Sequence, residues 1–225
     1  MQRLPLLIFL TTLCSHHNTA DDSFCMQPLL RSAIITQATA PPLLRDTVAF
    51  ISSLPANFDR STAPFKAFFP EKVMPAVYLN DIAVFKPDTT TQRARNAIII
   101  NRYAADLHRY RAHMINKQLG TQHIDPTAPF HVSAIPTYLV AYKGTQSTDP
   151  ITSKHYAVLE PRIDTSLVDS RALCDGGQPP TTSYQVAEQL ISALMTANIN
   201  DIHHENIVPQ KDGSLVIIDL ETVHE

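Results

Sequence analysis

Glycine is scarce: the 225 residues hold five glycines against 17 prolines. That shortage excludes any scheme built on a long glycine-rich phosphate loop, and neither GxxxxGK[ST] nor GxGxxG occurs. Cysteine is scarce too, with three in the chain, so no disulfide framework is expected. Cys25 and Cys174 remain after the first twenty residues, and one disulfide or two separate thiols are equally open. No Asn-x-Ser/Thr site is present, and no run of 18 apolar residues exists, so neither N-glycosylation nor a membrane span is expected. A strong charge of either sign is also missing. The net charge of −3 argues against a nucleic-acid protein that works by phosphate neutralisation. What remains is an ordinary globular composition, 44% apolar and 17% charged, long enough for one domain or two small lobes.

The first twenty residues have the order of a secretory leader. One basic residue, Arg3, precedes an apolar run from Leu4 to Leu10, and the polar stretch from Ser15 to Ala20 follows. Secretion is therefore the expected location, with cleavage after Ala20.

Further along, Asp22 to Thr39 reads as one short helix and Leu43 to Leu54 as another, ending before Pro55. Residues 55–75 read as loop, broken by Pro55, Pro64, Pro70 and Pro75. A hairpin is expected next, with strands Ala76 to Leu79 and Ile82 to Lys86 around the turn Asn80-Asp81. Arg93 to Gln118 reads as a long helix whose apolar stripe is Ile99, Tyr103, Leu107, Tyr110 and Met114, stopped by Gly120. Strands are expected at Ile135 to Tyr142 and His155 to Leu159. A helix should follow to Asn198, opened by a Thr182/Gln185 capping box, with Val186, Leu190, Leu194 and Met195 inward. A second hairpin pairs Asn206 to Val208 with Leu215 to Ile218. This irregular interleaving indicates an α+β fold with two lobes rather than βαβ repeats.

The densest polar cluster runs from Asn200 to Asn206, between the last helix and the second hairpin. It contains Asp201 and Asn206, five apart, and Asp219 follows thirteen residues later at the end of an apolar strand. An acid after four apolar residues needs a partner or a metal if it is to be buried. Phosphoryl transfer uses such a set: one carboxylate accepts the proton of the attacking hydroxyl, and an amide with a second carboxylate holds Mg²⁺ on the phosphates. It also needs a strand lysine at the phosphates, and Lys86 ends an apolar strand. The adjacent His203 and His204 with Glu205 do not make a zinc motif. Neighbouring residues point apart, whereas H-E-x-x-H places two histidines on one face.

The string Asp201-x-His203-x-x-Asn206, followed by Gly213 and Ile218-Asp219-x-Glu221, resembles the signature of the protein-kinase-like superfamily. It is most similar to the atypical branches: the aminoglycoside and choline phosphotransferases, and the kinase-like dehydratase domain of lanthipeptide synthetases. Val84-Phe85-Lys86-Pro87 resembles the phosphate-binding lysine strand of phosphatidylinositol-4-kinase-like and HipA-like kinases. The size resembles that of minimal bacterial effector kinases. The resemblance covers about two-thirds of the chain, from Ala76 onward.

It implies a minimal two-lobed kinase-like fold with a truncated C-terminal lobe. The expected division is a leader at 1–20, an extension at 21–75, an N-lobe at 76–160 and a reduced C-lobe at 161–225. The cofactors implied are ATP and Mg²⁺. By the same resemblance Asp201 is the catalytic base, Asn206 and Asp219 are the metal ligands, and Lys86 contacts the α- and β-phosphates. Glu160 falls at the hinge beside the adenine. The long helix has no Glu for the lysine, and Asp106 is the acid that substitutes for it. The loop before the first hairpin, Phe69 to Pro75, becomes a glycine-free phosphate lid. The expected activity is ATP-dependent phosphorylation of a protein hydroxyl, with a host-cell protein as the partner of a secreted effector. The alternatives are a pseudokinase-like binding module, an AMP transferase and a small-molecule kinase.

Overall fold

The structure is a computed structural model, and it describes residues 22–59, 71–74, 77–87, 91–163, 182–199, 202, 206–210 and 212–220. The fold is α+β. Helix α1 spans Asp22–Arg31; a 3-10 turn at Pro42–Leu44 leads into α2, Arg45–Ser53. Strands β1 (Glu71–Met74), β2 (Val77–Leu79) and β3 (Ala83–Lys86) follow, then the long helix α3, Gln92–Leu119. Next come β4 (Val132–Ala134), β5 (Tyr138–Ala141) and β6 (Tyr156–Pro161), helix α4 (Thr182–Ala197), and the hairpin of β7 (Ile207–Pro209) and β8 (Leu215–Ile217).

β1, β2, β3, β6 and β5 form one sheet in that order, every neighbouring pair antiparallel. Along a strand successive side chains face opposite sides, so each strand serves two cores. Phe85, Ala157 and Leu159 pack with Val48 and Ile51 of α2. Tyr156 and Val158, which face the other way, pack with Leu30, Ala33 and Ala94 at the start of α3. A second sheet, β4-β8-β7, lies with α3 and α4 around a third cluster that includes Ala97, Ile100, Ala104, Ala193 and Ile217. Helix α3 therefore touches the cores of both sheets.

The β2–β3 hairpin closes as expected. The Asn80 side-chain oxygen accepts from the backbone N–H of Ile82 and Ala83, at 2.9 and 2.7 Å, which fixes the turn. Upstream of it, 71–74 belong to the expected lid but form β1, an edge strand on β2 with an irregularity between Lys72 and Met74. The expected strand at 135–142 is shorter, because β5 begins beyond Pro136 and ends at Ala141. Just before it, Val132–Ala134 forms a strand that was not expected and pairs in parallel with β8. Residues 1–21, 60–70 and 164–181 lie outside the described residues, and with them the leader, Cys174 and the first two residues of the lid, Phe69 and Pro70.

Helix α3 ends at Gly120 in the left-handed conformation, φ 67°, as expected of a glycine stop. Its buried face is a correction. The inward residues are Ala94, Ala97, Ile100, Ala104, His108 and Ala112, while Tyr110 and Met114 are exposed. Likewise Ser192, Ala193 and Ala197 of α4 are buried and Met195 is exposed. Small side chains let the two helices approach closely, so the bulkier ones are displaced to the edges. The Gln185 amide donates to the Asp125 carbonyl at 3.4 Å, and the Thr182 side chain of the expected capping box lies outside the described residues.

Candidate functional site

The site begins with β3. Ala83 and Phe85 are turned into the α2 core, so the period-2 alternation puts Lys86 on the α3 side. There it is buried, with its Nζ 2.9 Å from Glu160 Oε2. The register explains the meeting. Glu160 pairs with Val84 and Lys86 with Val158, which makes Lys86 and Glu160 diagonal neighbours on one face.

Glu160 has other contacts. The Thr137 hydroxyl lies 3.4 Å from its Oε1, and Arg93 Nη1 lies 4.0 Å from the same oxygen. The second guanidinium nitrogen of Arg93 is in contact with Asp219 Oδ1. A continuous line of alternating charge results: Lys86, Glu160, Arg93, Asp219. The first three side chains are at most 10% exposed and Asp219 is 50% exposed, so the line opens to solvent at the aspartate end.

Arg93 sits in the first turn of α3, which carries no acidic residue. A cation there opposes the helix macrodipole. Two carboxylates facing it offset that cost. Three residues on, Asn96 donates from Nδ2 to the Leu220 carbonyl at 2.6 Å, and its buried Oδ1 has no partner among the described residues. The first turn of α3 thus grips the segment after β8 at two successive residues.

Asp219 itself has φ 54°, a left-handed conformation uncommon outside glycine. It directs the chain out of β8 just where the side chain meets Arg93. Asn206 is brought to the same end of the hairpin. Ile207 pairs with Ile217, and the Ile218 N–H donates to the Asn206 carbonyl at 2.8 Å, so Asn206 and Asp219 are near neighbours.

Two sequence expectations are corrected here. Glu160 lies inside β6, whose ladder with β3 continues to Pro161, and its side chain is the counter-ion of Lys86. Asp106 is exposed on α3 and paired with Arg109. It lies thirteen residues beyond Arg93, about 20 Å along the helix at 1.5 Å per residue. The acid beside the lysine therefore comes from the neighbouring strand, not from the helix. Asp201, His203, His204, Glu205 and Glu221 lie outside the described residues.

Arg93, Asn96 and Thr137 were not singled out by the sequence. Arg93 carried one usable signal, a cation in the first turn of a long helix. Asn96 and Thr137 carried none.

Among the described residues no group of three or more His, Cys, Asp or Glu is gathered for a metal. Mg²⁺ bound with a nucleotide needs less, because phosphates and water supply most of its ligands beside one or two protein oxygens. The neighbouring Asn206 and half-exposed Asp219 fit that requirement. None of the helices among the described residues is long and apolar enough to cross a membrane. No family model, curated protein or solved structure matches the chain.

Proposed function

We propose that the chain is a Mg²⁺-ATP-dependent phosphotransferase that acts on a protein hydroxyl. The observation that carries this is the line of charge that runs from the buried strand lysine to the half-exposed aspartate after β8. A lysine whose charge is kept in the interior by a carboxylate is a costly feature for stability alone. It is the usual arrangement for a phosphate-binding lysine.

In this reading Lys86 holds the phosphates, and Glu160 fixes the Nζ so that little reorganisation accompanies binding. Asn206 and Asp219 would hold the metal through oxygens at one hairpin end, and the metal would supply positive charge against the phosphates. Asp201 accepts the proton of the attacking hydroxyl, a role that rests on its spacing from Asn206. The half-exposed aspartate favours an acceptor presented on a protein surface over a small alcohol enclosed in a pocket.

The test is ATP binding and ³²P transfer in Mg²⁺, with a general protein acceptor such as casein or myelin basic protein and with autophosphorylation scored. Lys86→Ala and Asp219→Ala should each lower transfer by at least a hundredfold. Transfer retained in both variants would refute the reading. Mg²⁺-dependent nucleotide binding without any transfer would instead make the chain a pseudokinase-like binding module. Mass spectrometry of the product separates a phosphate from an AMP adduct.

A further inference from the structure

Lys86 has Glu160 as its counter-ion. Arg93 is placed differently, between Glu160 and the aspartate assigned to the metal. A guanidinium cannot lose its proton in a protein, so its grip on a carboxylate ends only when the two groups separate. Of the two, Asp219 is the one free to move. Arg93 is held by burial, with 8% of its side chain exposed, while Asp219 is 50% exposed and stands beyond the β8 ladder. A bare divalent cation arriving at Asp219 meets a fixed positive charge on the same carboxylate. A cation already neutralised by a triphosphate does not meet that repulsion, because the complex is itself anionic.

We propose that Arg93 is a built-in counter-ion that occupies Asp219 and refuses free divalent metal, so that metal enters only together with nucleotide. The proposal rests on the phosphotransferase reading above. Asp219 turns from Arg93 to the incoming complex, and Arg93 stays with Glu160. Asn96 keeps the backbone of Leu220 in place while the side chain moves. The site thereby avoids loading metal without its nucleotide, and order of binding becomes a property of one ion pair.

The experiment measures Mn²⁺ binding by electron paramagnetic resonance and calorimetry, with and without a non-hydrolysable ATP analogue. Wild-type protein should bind Mn²⁺ alone at least tenfold more weakly than Arg93→Gln does. The analogue should narrow that difference. Arg93→Lys keeps the charge on a shorter arm and should fall between the two. Asp219→Asn should lose the metal under both conditions. An Arg93→Gln protein that melts like wild type yet binds Mn²⁺ alone no better overturns the counter-ion role. If metal with analogue still binds wild type and fails with Asp219→Asn in that case, the nucleotide and metal site of the phosphotransferase reading stands without the counter-ion role. No binding of metal with analogue to wild type overturns both. Because Arg93 is buried, its variants risk misfolding. A structure of the wild-type protein with Mn²⁺ and the analogue gives an independent answer: the Arg93–Asp219 pair must be open. A pair that persists with metal on Asp219 overturns the proposal.

Discussion

Lys86 and Glu160 form a buried ion pair that is a poor source of stability. Taking two charges out of water costs several kcal/mol per ion, and their attraction repays this only in good geometry. Removing one partner leaves the other uncompensated. Glu160→Gln should therefore cost about 3–5 kcal/mol in urea unfolding. Lys86→Met should cost less, since Arg93 already lies within 4.0 Å of Glu160 and can take over the charge. The double variant Lys86→Met/Glu160→Leu should return near wild-type stability while losing nucleotide binding, which separates folding from function. By contrast Asp106→Asn breaks only an exposed pair with Arg109, so stability should change by less than about 1 kcal/mol and nucleotide binding not at all.

At the scale of elements, α3 is the part on which both sheets depend, and its interface with α4 is built from small residues. Ala104→Leu should overpack that interface and cost about 1–3 kcal/mol. The same interface buries His108, whose ring packs on Phe130 at a centroid distance of 5.7 Å. Its Nδ1 is 3.5 Å from Ser192 Oγ, and its Nε2 has no partner among the described residues. Burial lowers its pKa, opposed by Glu188 and assisted by Arg111 and Arg109. The folded value thus lies below the unfolded one, and the unfolded chain takes up the proton first as pH falls. The stability is fully present above about pH 6.5 and is lost as pH drops from there toward the folded value, with a slope of at most about 1.4 kcal/mol per pH unit. In His108→Leu the pH dependence of urea unfolding between pH 5 and 7 should flatten. At the far end of the helix, Gly120→Ala should cost about 1 kcal/mol through its positive φ alone, since nothing within 4 Å obstructs a side chain there.

For the whole molecule, the site is assembled from two sheets and the helix that joins their cores. Lys86 and Glu160 come from the five-stranded sheet, Asp219 and Asn206 from the end of the three-stranded one, and Arg93 from α3. A ligand that bridges these parts binds only the folded arrangement. Nucleotide with Mg²⁺ at a hundred times its Kd should add about 2.7 kcal/mol to stability. For a chain of 225 residues that is a rise in Tm of roughly 5–10 °C by calorimetry. The rise should vanish in Asp219→Ala.

Local order in the chain was legible where the signal is local. The β2–β3 turn is written in Asn80, the end of α3 in Gly120, and the extent of α3 in the helical spacing of its apolar residues. The positions of Lys86 and Asp219 at strand ends were equally plain, because each follows a short apolar run. Helix faces were less legible. Large apolar residues at helical spacing mark an inward stripe only when the partner leaves room, and here alanines and a serine took the interface. Pairings over long separations were not legible at all. The parallel match of β4 with β8 brings Val132 to Leu215, and nothing near either residue announces it. For the same reason the acid beside Lys86 could not be read from the chain. It lies 74 positions away on a neighbouring strand, and only the strand register sets the two side chains on one face. The residue types able to do phosphoryl chemistry, and their places at the ends of elements, are properties of the sequence by itself. Which carboxylate answers which cation was decided by the tertiary structure, because burial makes charge pairing compulsory and packing chooses the partners.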